Sequence, residues 1–400
     1  MPGYSAGAGV SGPDEPIIEC GSMRAKPVFN IRDRVNLRLT VVMAIACICP
    51  VGCGDHGLSG DAGQEEGEQD LLHEAVGDEG EEEQGQDGDD REDAVEDAAD
   101  TQEILDQVYV AGGNPYEMGG LTVGRTQVEQ GQSGAPVPII LFYPLEPGTY
   151  AVVVFQHGFL MAAAYYSEIL THLASQGFIV AAPQMYEAGG LPIGKPSTPE
   201  EAALAVQVLE WIRVNVSAFA GVTARTDLLG YAGHSRGGKV SWLLLKQDSS
   251  RARAVAGVDP VDGTGGPMGG EERIIQGPFD FPFPSLVLGT GLGPVSSGPL
   301  QPACAPEGDN HVQFYDASAS PAWHVVATEQ GHLDMLDAAT PGCGMECSAC
   351  PAGPDRAGMR LLTGGLLAAF FRGSLQGDGS AYVWLLDTAA APIPALMESK

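Results

Sequence analysis

Basic side chains are scarce in this sequence. Its 400 residues include 20 Lys and Arg against 52 Asp and Glu, for a formal net charge of −32. A phosphate polyanion would be repelled, which argues against nucleic acid as a partner. The imbalance is local: between Asp55 and Asp106, 22 acidic residues face the single base Arg91, so this stretch carries −21 of the total. The same stretch almost lacks aromatic and β-branched residues. It cannot bury enough apolar surface to offset its ordering entropy, and residues 54–107 are predicted to be a disordered, self-repelling linker. Nor does it have the Asp-x-Asp-x-Asp-Gly spacing of a calcium loop. No internal repeat is evident.

A comfortable membrane span is also missing from the N-terminus, where the apolar run Leu39–Val51 is too short. Arg24, Lys26, Arg32, Arg34 and Arg38 precede that run and Cys53 follows it. A basic segment, an apolar segment and a cysteine resemble a bacterial lipoprotein signal. Residues 1–53 are therefore expected to direct export, with Met23 as an alternative start. Cys53 is the candidate lipid-bearing residue, and Cys47, after Ala44-Ile45-Ala46, is a second. The expected location is periplasmic, at the cell surface or secreted, with membrane attachment through such a lipid; ordinary cleavage and secretion, or an uncleaved anchor, are the alternatives. Of eight cysteines, four lie in or before this segment. The other four, Cys304, Cys343, Cys347 and Cys350, form an even set, as expected for two disulfides of unassigned pairing in an oxidising compartment. Cys343-x3-Cys347-x2-Cys350 has the spacing of an iron–sulfur motif, but an exported chain meets no reducing compartment, and zinc would need a further ligand. No metal or cofactor is expected.

From residue 108 to 400 the pattern becomes that of one catalytic domain. Short apolar runs at 138–143, 151–155, 178–182, 228–232, 254–258, 285–288 and 323–327 predict strands. Helical spacing predicts helices over 165–175 (ended by Gly177), 199–219 (with Thr198 as N-cap and Pro199 at the first position), 236–246 and 359–371. Strands alternating with helices imply a mostly parallel central sheet covered on both faces.

Gly233-His234-Ser235-Arg236-Gly237 falls between a predicted strand and a predicted helix. Such a turn must be sharp enough to lift the serine hydroxyl above the sheet, and glycines two places to either side leave room for it. Ser235 is thus the candidate nucleophile of an α/β-hydrolase fold. Its base should come late in the chain, after a strand. His332 in Gly331-His332-Leu333-Asp334 fits, with His311 as the alternative. The strand at 285–288 leads into Gly289-Thr-Gly-Leu-Gly293 with no carboxylate, so the acid is sought one strand earlier. Asp259 follows the 254–258 run directly, and Asp262 is the alternative. An oxyanion needs two N–H groups; the backbone amides of Arg236 and of Phe159, in the loop Gln156-His157-Gly158-Phe159, are the candidates. Gly289-x-Gly-x-x-Pro294 lacks the third glycine of a nucleotide loop.

Several of these segments together resemble the chlorophyllase family. They include Gln156-His-Gly-Phe-Leu160, His172-Leu-Ala-Ser-Gln-Gly-Phe-Ile-Val180, Gly233-His-Ser-Arg-Gly-Gly-Lys239, Val258-Asp-Pro-Val-Asp-Gly263, Gly289-Thr-Gly-Leu-Gly293, Cys304-Ala-Pro…Asn310-His311 and Gly331-His-Leu-Asp-Met-Leu-Asp337. They keep the family's order across roughly residues 137–342. The resemblance implies Ser235, Asp259 and His332 as a triad, and hydrolysis of the phytyl ester of chlorophyll to chlorophyllide and phytol without a metal. The export segment, acidic linker and cysteine cluster depart from the plant members. An apolar ester is the expected substrate. A general lipase or polyester hydrolase, or an idle surface-binding protein on this scaffold, are the alternatives.

Overall fold

The computed structural model describes residues 107–400 apart from 192, 264–271 and 299–300. The export segment, Cys53 and the acidic linker up to residue 106 lie outside the described residues.

In chain order the elements are β1 (Val123–Val128), β2 (Ile139–Pro144), β3 (Thr149–Gln156), α1 (Ser167–Ser175), β4 (Phe178–Pro183), α2 (Thr198–Ala220), β5 (Thr223–His234), α3 (Arg236–Gln247), β6 (Ala254–Val258), β7 (Ser285–Thr290), α4 (His311–Ala317), β8 (Ala322–Ala327), α5 (Arg356–Leu375) and β9 (Ala395–Ser399). The strands form a nine-stranded sheet in the order β1-β2-β4-β3-β5-β6-β7-β8-β9. From β4 to β8 every neighbouring pair is parallel. Antiparallel strands complete both edges. This is the α/β-hydrolase fold.

The central strands read as unbroken apolar runs because both faces are covered. In β3, Ala151, Val153 and Phe155 face the layer of α1 and α5, where Leu170, Leu173, Leu366 and Phe370 pack. Val152 and Val154 point the other way, towards Val208, Leu209 and Ile212 of α2 and Val240 and Leu244 of α3. Side chains alternate along a strand, so one apolar run feeds two cores. Helix α2 is long and apolar enough to cross a membrane by length and composition, yet that apolar stripe is what the sheet buries.

The helix boundaries differ from expectation in several places: α1 begins at Ser167 because 163–166 form a 3-10 turn, α5 runs three residues earlier and four later than expected, and α4 was not expected at all. The N-cap of α2 is Ser197 rather than Thr198, because Glu200 reaches back to accept from the Ser197 N–H and hydroxyl, both at 2.7 Å. This reciprocal box starts the helix one residue earlier. Pro199 then sits inside the first turn, where its missing N–H costs nothing. Strands β1 and β9 had no counterpart in the sequence reading.

Candidate active site

The parallel strands place their C-terminal ends along one edge of the sheet, where the candidate residues meet. Ser235 stands between β5 and α3 with φ 53° and ψ −119°. Non-glycine residues seldom adopt positive φ, and the cost is accepted where surrounding structure over-determines the turn. The flanking glycines show why the crossing is so tight. A Cβ on Gly237 would lie 2.2 Å from the Gln156 carbonyl oxygen, and one on Gly233 would lie 2.4 Å from the Gly237 carbonyl carbon. Strand β3, strand β5 and helix α3 therefore touch through backbone alone.

Asp259 follows β6, also at positive φ (43°), and is fully buried. Its Oδ1 accepts from the Thr290 N–H at 3.1 Å, and its Oδ2 from the Thr290 hydroxyl at 2.6 Å. The same Oδ2 lies 2.6 Å from His332 Nδ1, and His332 Nε2 lies 2.9 Å from Ser235 Oγ. Burial alone would raise the Asp259 pKa. The His332 hydrogen bond and charge, the nearby His311 and the Thr290 hydroxyl outweigh it and hold the carboxyl below the usual aspartate value. An ionised carboxylate there requires Nδ1 of His332 to carry the proton, which turns the Nε2 lone pair towards the serine hydroxyl.

The alternatives are occupied elsewhere. Asp262 accepts the backbone N–H groups of Ile274 and Ile275 at 2.8 and 3.0 Å, closing a turn, with the Lys239 ammonium 3.7 Å away. His311 packs on Gly289 and pairs with His324 at 2.8 Å. Both carboxylates that follow His332 hold backbone. Asp334 accepts from the N–H groups of Gly331 and Gly353, each at 2.6 Å. Asp337 caps α1 through the N–H groups of Ser167 and Glu168, each at 2.9 Å.

A second network, not read from the sequence, ties the loops together. The Tyr166 hydroxyl accepts from Gly158 N–H at 3.1 Å and donates to His234 Nδ1 at 2.8 Å. His234 in turn donates from Nε2 to the His332 carbonyl at 2.9 Å. Desolvation and the adjacent His332 push the His234 pKa down to about 3, so the ring is neutral, as this pattern of one donor and one acceptor needs. His157 is likewise pushed down to about 4 by burial; its Nδ1 donates to the Gly158 carbonyl at 2.8 Å and its Nε2 accepts from Met185 N–H at 3.1 Å. The Arg236 side chain was also missed. Its guanidinium pairs with the buried Glu201 of α2, donates to the Pro196 carbonyl and lies 4.9 Å from the centroid of the Phe159 ring. It thereby braces the loop after β3. No motif marks such a contact; only the third dimension brings α2 to the elbow.

Ser235 and His332 open onto a cleft of about 430 Å³ whose walls include Phe159, Leu160, Met161, Val261 and Leu333. Cys304 and Cys350 also line it and form a disulfide; Cys343 and Cys347 form the second. All four cysteines are thus in disulfides, and among the described residues no cluster of His, Cys, Asp and Glu could hold a metal ion. The arrangement supplies a polarised hydroxyl, an oriented imidazole, a buried carboxylate and an apolar cleft, which suits acyl transfer from an apolar ester.

Known proteins share this chain's sequence over most of the described region. A family model described as Chlorophyllase matches residues 111–399. The chain is 36% identical over 272 residues to chlorophyllase-2 of Arabidopsis thaliana, covering 65% of this chain and 84% of that protein. It is 36% identical over 267 residues to a chloroplastic chlorophyllase-1 of Citrus unshiu, covering 64% and 79%. It is 30% identical over 302 residues to chlorophyllase type 0 of Chenopodium album, covering 70% and 84%.

Proposed function

The chain belongs to the chlorophyllase family and is a carboxylic ester hydrolase, and from that premise we propose that it cleaves the phytyl ester of chlorophyll through an acyl-enzyme on Ser235. The observation that carries the proposal is the continuous relay from Ser235 through His332 to Asp259, at 2.9 and 2.6 Å. His332 takes the hydroxyl proton as Ser235 attacks the ester carbonyl. Negative charge then grows on the carbonyl oxygen, where the amides of Arg236 and Phe159 are assigned to receive it. The Arg236 N–H opens α3 and points out of a helix N-terminus. In the loop after β3, Gly158 N–H and Met161 N–H are engaged with Tyr166 and with the Gly158 carbonyl, which favours the Phe159 amide as the second donor. His332 next gives its proton to the departing alcohol, and water repeats the sequence to release the acid. Asp259 holds the useful tautomer throughout.

The apolar walls support a long hydrocarbon alcohol over a short or charged one. A general lipase or polyester hydrolase is the second reading, favoured by the disulfides: two such bonds suit an oxidising compartment outside the cell, where external esters are at hand. Chlorophyll, a triglyceride and a short p-nitrophenyl ester, assayed side by side, separate the two. The phytyl-ester reading expects chlorophyll to have the highest kcat/KM; preference for the triglyceride would replace it with the second. A fluorophosphonate should label Ser235 and fail on Ser235→Ala. Labelling at another serine would refute the assigned nucleophile. Export and lipidation of Cys53 belong to the same proposal, and mass spectrometry of the chain from an exporting bacterium should find a mature N-terminal cysteine bearing acyl chains.

A further inference from the structure

We infer that the rim of the cleft is an interfacial surface that seats the enzyme on an uncharged or zwitterionic lipid phase, through Leu191, Ile193 and Met345. Isolated exposed aliphatic side chains are ordinary on protein surfaces. These three differ because of where they stand. Leu191, Ile193 and Met345 are 74%, 79% and 87% exposed, the highest values among the large apolar side chains of the described residues apart from Val214 at 81%. All three belong to two loops that adjoin the cleft. The first loop follows β4 and is drawn together by Lys195, whose ammonium donates to the Glu187 carbonyl at 2.5 Å and lies 5.6 Å from the centroid of the Tyr186 ring. It is fastened to the cleft wall by Gly189 N–H, which donates to the Leu160 carbonyl at 2.8 Å. The second loop carries Met345 at the start of a short 3-10 turn, clamped by the Cys343–Cys347 disulfide and joined to the opposite wall through Cys350–Cys304. The two loops meet where Glu346, itself a wall residue, comes within 3.1 Å of the Cβ position of Gly189.

The chemistry of the rim selects the occupant. Exposed apolar tips on separately braced loops suit a deformable apolar phase, into which each side chain enters on its own. A protein partner would favour a shape-matched patch with aromatic, Met or Arg anchors, and of the three tips only Met345 is of that kind. Charge excludes an anionic membrane: residues 107–400 contain 26 Asp and Glu against 14 Lys and Arg, and the loops that carry the tips add Glu187 and Glu346. An uncharged or zwitterionic surface remains. Placement beside the cleft gives the surface its use, since an ester dissolved in lipid would pass from that phase into the cleft without crossing water. This last step rests on the esterase reading; the binding itself does not.

The test uses the full chain carrying Cys53→Ser, so that no lipid anchor contributes. With Ile193→Trp added, vesicles of brominated phosphatidylcholine should quench the emission gained over the parent, and phosphatidylglycerol vesicles brominated to the same extent should quench it less. Replacing Leu191, Ile193 and Met345 together by Ser should lower hydrolysis of a vesicle-borne long-chain ester ~10-fold or more while leaving a water-soluble p-nitrophenyl ester untouched; all three sites are exposed, so folding is preserved. Absence of quenching, equal quenching by anionic lipid, or an unchanged rate on the vesicle-borne ester would each overturn the inference. Failure of the parent to hydrolyse either ester would instead strike the esterase reading, and the quenching would still decide the surface.

Discussion

Replacing Asp259 with Asn removes a negative charge while keeping the side chain's shape, and its surroundings decide how the new amide must turn. The Thr290 N–H can only donate, and it points at Oδ1 from 3.1 Å. The amide oxygen is therefore held at that position, which puts the NH2 where Oδ2 was, 2.6 Å from His332 Nδ1. An NH2 donates, so His332 must accept on Nδ1 and carry its proton on Nε2. That proton then faces Ser235 and no base remains. The same substitution in serine proteases lowers kcat by ~10⁴; here a fall of ~10³–10⁴ is expected, equivalent to about 4–5.5 kcal/mol in the barrier. KM should move little, because the substrate's contacts are untouched. The control is Asp262→Asn, three residues on. Asp262 accepts two backbone N–H groups, and the amide can satisfy only one, so stability should fall by ~1–3 kcal/mol while kcat stays within about tenfold. Steady-state hydrolysis of a p-nitrophenyl ester and urea unfolding followed by circular dichroism measure both. Retention of more than a tenth of the activity by Asp259→Asn, or an equal loss in Asp262→Asn, would refute the assignment of the acid.

Tyr166→Phe should lower kcat about tenfold, ~1.4 kcal/mol, with the fold intact, since the ring still packs 5.0 Å from Phe155; an unchanged kcat would show that the Gly158–Tyr166–His234 chain does not position the site. Gly237→Ala places a methyl 2.2 Å from the Gln156 carbonyl oxygen and should cost about 3 kcal/mol or more, read as a lowered urea midpoint or loss of soluble protein. The buried histidines make the fold sensitive to acid. His157 and His234 are depressed to about 4 and about 3 in the native state, whereas in the unfolded chain they titrate near ~6.5. Below that value the unfolded chain binds more protons, so stability is intact above pH ~6.5 and declines as pH falls towards 4, by up to ~1.4 kcal/mol per pH unit for each ring. A urea midpoint that stays constant between pH 7 and 5 would contradict the neutral assignment of both rings.

What the sequence made legible follows from how locally each feature is encoded. The buried strands were readable because a run such as Ala151–Phe155 must be apolar on both faces, and the helices other than the seven-residue α4 because their stripes and punctuating residues lie within a turn or two of each other. Strands β1 and β9 were not. As edge strands they are only partly buried, and Arg125, Gln127 and Glu398 interrupt the apolar signal. Ser235 was marked by glycines that the close backbone crossing requires, and His332 by its place after β8. Asp259 and Asp262 sit three residues apart and are both buried, so composition could not separate them; the partners that do, Thr290 for one and Ile274 with Ile275 for the other, come from later in the chain. The same reason hid the Cys304–Cys350 pairing, the Arg236–Glu201 ion pair and the role of Tyr166. Asp259 reaches His332 across 73 residues because only β7 separates β6 from β8 in the sheet, and Thr290, the last residue of β7, fills the gap between them. Strand order alone creates that adjacency, so a threonine that ends an unremarkable strand becomes the group that fixes the orientation of the candidate acid.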